Sequence, residues 1–164
     1  MNIKNNLGMY AEEIVNRTRN FLMNKNEIYF EKREVPIKII KKTNDNTIVG
    51  KLLAKSYVDY FGYNKDKHFE FEVKQTQEDY FDVNLIKEHQ LAYLFKLYEN
   101  NIPSFLIVYF SKFNKFYLIK TSWLKQYLEN KNKKKIPYDV IMQNNNELEI
   151  VYPGVLDMSC IYNI

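Results

Sequence analysis

Between Ser104 and Ser111 the chain carries six consecutive apolar residues, Phe105-Leu106-Ile107-Val108-Tyr109-Phe110. A run this short falls well below the ~20 residues that span a bilayer. A strand with no polar side has to be covered on both faces, as in the centre of an α/β sheet. The rest of the chain supplies the covers. Residues 8–23 predict a helix, with Ile14, Phe21 and Leu22 on one stripe, Glu12 and Glu13 early and Arg17 and Arg19 later, as the helix dipole favours. Residues 27–33 predict a short polar strand. Pro36 opens a strand over Ile37–Lys42; a turn at 43–46 and a return over Thr47–Ala54 complete a hairpin bearing Lys41, Lys42, Lys51 and Lys55.

Two more strands are expected over 57–63 and 68–76. Asn84 is expected to cap a helix running to about Tyr98, and Ser122 another to about Asn130. Asn114 marks a turn into Phe116–Lys120, Lys131–Lys135 reads as a charged loop, and 137–142 and 147–152 read as strands. The mixture predicts one α/β domain, residues 1–164, with a mixed central sheet flanked by helices.

Composition removes several function classes. The lone cysteine, Cys160, excludes a disulfide framework and a cysteine-built zinc site within one chain. The 24 Lys+Arg against 20 Asp+Glu leave a net charge of +4, compatible with a nucleic-acid partner without demanding one. The opening Met1-Asn2-Ile3-Lys4-Asn5-Asn6 has no apolar secretory core, so a cytoplasmic location away from membranes is expected. There is no Gly-rich phosphate loop, no Ser/His/Asp order and no His-rich metal spacing.

The chemistry concentrates in residues 56–74. From 68 onward the pattern alternates: Phe69, Phe71 and Val73 point one way, Glu70, Glu72 and Lys74 the other. A turn centred between Lys65 and Asp66 pairs Gly62 with Phe69, Tyr60 with Phe71 and Val58 with Val73 on one apolar face. It also sets Asp59 directly opposite Glu72, and a slip by one residue destroys the match. Carboxylates so opposed have Cβ atoms roughly 5 Å apart and repel. A divalent cation between them removes the penalty, and oxygen ligands suit Mg²⁺ or Mn²⁺ better than zinc. Lys74 shares the face of Glu72. Acid, acid and lysine around a metal can bind a phosphodiester, activate water and neutralise transition-state charge.

The triplet Glu72-x-Lys74 carries little by itself, since acid-x-base also occurs at Glu31/Arg33 and Glu129/Lys131. A solvated charged strand face would explain Glu70, Glu72 and Lys74 equally well; the opposed Asp59 is what favours a site. Gln90 falls on the inward stripe of the expected helix, with Ile86, Tyr93, Leu94 and Leu97, as a core glutamine or a site residue. His89 reads as structural or as a support behind the site residues, and His68 as a surface residue.

Taken in order, Gly8-Met9 with Glu12/Glu13, Pro36-Ile37-Lys38-Ile39-Ile40, Asp59-Tyr60 followed by Gly62, Phe71-Glu72-Val73-Lys74-Gln75-Thr76, His89-Gln90 and the apolar strand after Asn101-Ile102 resemble the RecU family of Holliday junction resolvases. The resemblance implies a restriction-endonuclease-like core with a protruding hairpin stalk, here residues 37–55. It implies a magnesium site served by Asp59, Glu72 and Gln90, with Lys74 stabilising the transition state. It also implies a homodimer that cuts four-way DNA junctions symmetrically, with recombination proteins as further candidate partners. The stalk lysines Lys41, Lys42, Lys51 and Lys55 would face phosphates at the crossover; protection of an edge strand is the plainer account of them. The family usually carries threonines just before the aspartate, where this chain has Tyr57 and Val58.

The expectation is a Mg²⁺-dependent (or Mn²⁺-dependent) endonuclease resolving four-way junctions. Two other readings stay open: a junction- or duplex-binding protein without catalysis, and a restriction-type nuclease cutting plain duplex.

Overall fold

A computed structural model describes residues 7–25, 28–43, 45, 47–53, 57–65 and 67–163. In chain order the elements are α1 (Leu7–Lys25), β1 (Tyr29–Lys32), β2 (Ile37–Lys42), β3 (Ile48–Leu52), β4 (Tyr60–Asn64), β5 (Lys67–Thr76), β6 (Tyr80–Asp82), α2 (Glu88–Glu99), β7 (Ser104–Phe110), β8 (Lys115–Lys120), α3 (Thr121–Lys131), β9 (Lys135–Pro137), α4 (Tyr138–Asn144), β10 (Asn146–Leu148), β11 (Ile150–Val151) and β12 (Val155–Leu156). The central sheet has six strands in the order β1-β4-β5-β7-β8-β10. It is mixed, as expected: β5 and β7 run parallel, while the other neighbours are antiparallel. A parallel pair needs a crossover, and the segment from β6 through α2 provides it.

Every residue of β7 is buried, and its alternating side chains serve two cores. Phe105, Ile107 and Tyr109 join Phe30, Tyr60, Phe69, Phe71 and Val73 beneath Ala11, Ile14, Val15 and Leu22 of α1. Leu106, Val108 and Phe110 pack on the other side with Leu94 of α2, Leu124 of α3 and Ile141 of α4. Helices therefore flank the sheet on both faces, which is what the polar-free run demands.

The proposed register between the two site strands is the observed one, Tyr60↔Phe71, Phe61↔Glu70 and Gly62↔Phe69. It ends at Tyr60. Val58 does not join Val73: it lies in the α2-side core, whereas Val73 faces α1. Before β4 the chain leaves the β5 ladder but stays in line with β1, where the Asp59 carbonyl accepts the Arg33 N–H at 2.7 Å.

Three boundaries also differ from expectation. Asn84 does not cap α2. It sits in a 3₁₀ turn, Val83–Leu85, closed by Ile86 N–H to the Val83 carbonyl at 3.0 Å, and Ile86 then goes extended, so α2 begins only at Glu88. Ser122 does not cap α3, which begins one residue earlier; Thr121 is buried there and accepts the Ser104 hydroxyl at 2.9 Å. Residues 138–144 are helix α4 instead of strand, with Ile141 its buried residue. So few residues carry too weak a period to separate the two states. Asn114 does mark the turn into β8, with a left-handed φ of 53°.

The hairpin β2–β3 pairs with no other strand, and every residue in both strands is exposed. Leu53 N–H bonds the Pro36 carbonyl at 2.9 Å and closes its root. Among the described residues no helix is long and apolar enough to cross a membrane.

Gly62 is where β4 passes closest to its neighbours. A Cβ there would lie 2.5 Å from Phe30 Cβ, 2.5 Å from the Tyr29 carbonyl oxygen and 2.6 Å from the Phe69 ring. Gly62→Ala is therefore expected to lower unfolding free energy by about 1–3 kcal/mol through overpacking, measured as a lower urea midpoint at unchanged m-value.

Candidate active site

On β5 the register with β7 sets Glu70 beside Ser104, Glu72 beside Leu106 and Lys74 beside Val108, all on the side covered by α2. The charged face is thus no solvated face: Glu70 is 4% and Glu72 0% exposed. A carboxylate buried so deeply survives only with donors around it. Glu72 has them. Its Oε1 accepts Gln90 Nε2 at 2.8 Å and pairs with the Lys74 ammonium. Its Oε2 accepts the Asp59 N–H at 2.9 Å.

Asp59 lies one step beyond the end of the ladder, and its own Oδ2 is 3.5 Å from the Val73 N–H. The two acids proposed to face each other do meet. Burial first, and the charge of Asp59 second, push the Glu72 pKa up to about 7, against the pull of Lys74.

The remaining positions sort as follows. Gln90, buried in the first turn of α2, reaches Glu72 with its NH₂ group, while its carbonyl oxygen accepts the Lys87 N–H at 3.2 Å. The Lys74 side chain keeps 19% exposure, so the ammonium stands at the mouth of the site. Lys41, Lys42 and Lys51 lie on the exposed hairpin, and Lys55 lies outside the described residues. The hairpin register adds Lys38, directly across from Lys51. Like charges so placed repel until an anion joins them, and the turn at 43–46 was the signal that could have found the pair.

A second cluster adjoins the first and was missed. Glu70 accepts Arg33 Nη2 at 2.7 Å on one oxygen; the other accepts the Tyr93 hydroxyl at 2.9 Å and sits 3.0 Å from His68 Nε2. His68 is therefore no free surface residue. Arg33 also lies over the Phe61 ring, 5.1 Å from its centroid. Tyr57 stacks on Tyr93, centroids 4.6 Å apart. Arg33 comes from before the hairpin and Tyr93 from α2, so no short-range pattern joins them.

The donor set suits a hard divalent ion. Asp59 and Glu72 are oxygen donors whose mutual repulsion a cation relieves. Mg²⁺ commonly binds through one or two carboxylates and keeps several waters. Among the described residues no three His, Cys, Asp or Glu side chains converge as a fuller metal cage. Gln90 would join through its carbonyl oxygen only by turning its amide over.

Against known proteins, the family model for Recombination protein U matches residues 6–163. A Holliday junction resolvase RecU from Ureaplasma parvum is 36% identical over 163 residues, 99% of this chain and 95% of that one. The Holliday junction resolvase RecU of Mycoplasmopsis pulmonis is 32% identical over 155 residues, 94% of this chain and 92% of its own. Among solved structures, the Holliday junction resolvase Hjc of Archaeoglobus fulgidus shows a distant likeness, with 15% identity and a TM-score of 0.46 over 80% of this chain and 94% of that one. With almost its whole length matched by the family model, the chain belongs to the RecU family.

Proposed function

We propose that this protein is a divalent-metal-dependent endonuclease that resolves four-way DNA junctions. Asp59 and Glu72 would hold Mg²⁺ or Mn²⁺, with Gln90 beside them. The observation that carries the reading is the buried Glu72 carboxylate, set against a second acid and capped by an ammonium. A purely structural strand gains nothing from such a pair, whose desolvation exceeds what a solvated surface face would cost.

A bound ion would supply Lewis-acid stabilisation of charge on the scissile phosphate. The chain's own residues do the rest. Lys74, at the mouth of the site, offers donors to the attacking water or to the phosphoryl oxygens as negative charge builds. Glu72 has to be ionised to act. The Asp59 N–H and the Gln90 amide each bind one of its oxygens and so fix the orientation of the carboxylate.

The hairpin would serve as the stalk. Lys38, Lys41, Lys42 and Lys51 line a fully exposed ribbon and give sequence-independent attraction to phosphates. The same ribbon leaves Ile37, Ile39, Ile40, Ile48, Val49 and Leu52 at half exposure or more. So much apolar surface on one element favours a homodimer, and two copies would present two sites for opposed cuts. Junctions in bacterial chromosomes would place the protein in the cytoplasm.

Asp59→Asn tests the reading directly. Cleavage of a synthetic four-way junction should fall by about 10³-fold or more, while binding without metal persists. Wild-type protein that leaves junctions whole with both Mg²⁺ and Mn²⁺ would refute it.

The pH dependence has a definite sign. The folded-state pKa of Glu72 is raised from 4.5 to about 7, so across that interval the native protein holds a proton the unfolded chain has released. Metal-free stability therefore falls as pH rises through it. Ion binding expels that proton, so Mn²⁺ affinity should climb from about pH 5.5 to about pH 7.5 with proton release, seen by calorimetry in two buffers of different ionisation enthalpy. Glu72→Gln should abolish the climb.

Replacing Lys41, Lys42 and Lys51 together with alanine should weaken junction binding and flatten log K against log salt by about 2–3, near 0.9 per lost phosphate contact. Turnover at saturating DNA should stay unchanged.

A further inference from the structure

Tyr57 has no role in the chemistry above, yet its surroundings are unusually fixed. It stands two residues before Asp59 and is 54% exposed. One ring face lies on Tyr93, centroids 4.6 Å apart and planes 25° from parallel.

Tyr93 in turn is anchored. Its hydroxyl donates to Glu70 at 2.9 Å, and Glu70 is itself gripped by Arg33 at 2.7 Å. Burial and the carboxylate acceptor push the Tyr93 pKa up to about 12, so the hydroxyl stays a donor at neutral pH. Glu70 lies two residues from Glu72 on the same side of β5. The aromatic step is thus fastened to the strand that carries the buried acid, and it adjoins the segment that carries the other.

We propose that Tyr57, backed by Tyr93, is a stacking platform for a single DNA base left unstacked at the branch point beside the cut. The inference rests on the junction-nuclease reading and deepens it by naming what the protein recognises next to the scissile phosphate. An aromatic face stacks on any base, without sequence preference. In continuous duplex both faces of each base are already covered by neighbours. Where strands exchange, a base has a face to give.

Distance agrees. Two residues span at most about 7 Å, and successive bases of a stacked strand rise 3.4 Å. The base that Tyr57 can reach therefore belongs to a nucleotide within one or two steps of the phosphate at Asp59 and Glu72. The platform would select branched over linear DNA at the site itself, separately from the hairpin's charge.

The test is a double-mutant cycle between ring and base, read by fluorescence anisotropy in metal-free buffer. Wild type, Tyr57→Ala and Tyr57→Phe are titrated with an intact junction, with linear duplex, and with junctions bearing one abasic nucleotide stepped through the exchange point. Tyr57→Ala should bind the intact junction about tenfold more weakly and linear duplex as wild type does. Tyr57→Phe, which keeps the ring, should match wild type.

At one abasic position the loss should appear in wild type and not deepen in Tyr57→Ala. Thermal melting of both variants checks that the fold is intact. The proposal is overturned by equal junction binding of Tyr57→Ala and wild type, by an equal loss on linear duplex, or by losses that multiply at every abasic position. In the first two cases wild-type cleavage of the junction leaves the nuclease reading standing; wild type that neither prefers nor cleaves junctions overturns both.

Discussion

The arrangement turns on one carboxylate placed where water cannot reach it. Glu72 sits mid-strand on β5 under α2, with both oxygens engaged by protein donors. Burying such a group costs several kcal/mol unless it is neutralised or hydrogen-bonded. Here the compensation comes from three directions: along the strand from Lys74, across from Asp59 and down from Gln90. Those donors stay in register only because β5 pairs parallel with β7 and the crossover between them lays the first turn of α2 over the acid. The topology and the chemistry are thus one constraint.

β7 makes that possible by serving both sides of the sheet. Its odd residues complete an aromatic core under α1, where Phe71 stacks on Phe105 with centroids 5.0 Å apart and on Tyr60 at 4.8 Å. Its even residues form the apolar floor beside the acids. The α1 side is almost wholly hydrophobic and supplies apolar burial that the polar groups on the α2 side do not. The burial of Glu70 and its three-partner cluster extends this polar layer outward to Arg33 and Tyr93.

What could be read from sequence follows the range of each interaction. The alternation over 68–74 and the length of the turn determine a cross-strand register, and the observed pairing of Tyr60 with Phe71 is the one they dictate. The polar-free run at 105–110 likewise fixes a central strand. Helix starts differ by a few residues from those that Asn84 and Ser122 suggest as caps: at the first a local 3₁₀ turn takes Asn84, and at the second a buried hydrogen bond from the distant Ser104 holds Thr121. Glu70 resembled a solvated residue for the same reason: its partners Arg33 and Tyr93 lie 37 and 23 residues away. The contact between Asp59 and Glu72 was legible because both belong to one hairpin. That Gln90 offers Glu72 its NH₂ group was not, since its carbonyl oxygen is taken by the Lys87 N–H at the start of α2.

The bond from the Arg33 N–H to the Asp59 carbonyl has a mechanical meaning. The hairpin β2–β3 follows Arg33 in the chain, and on the far side Tyr57 and Val58 are already packed on the body of the protein before Asp59 pairs with Arg33. A pull on the hairpin would reach the sheet along Arg33 on one side and past Tyr57 and Val58 to Asp59 on the other, so the appendage and the acid that meets Glu72 share one backbone footing.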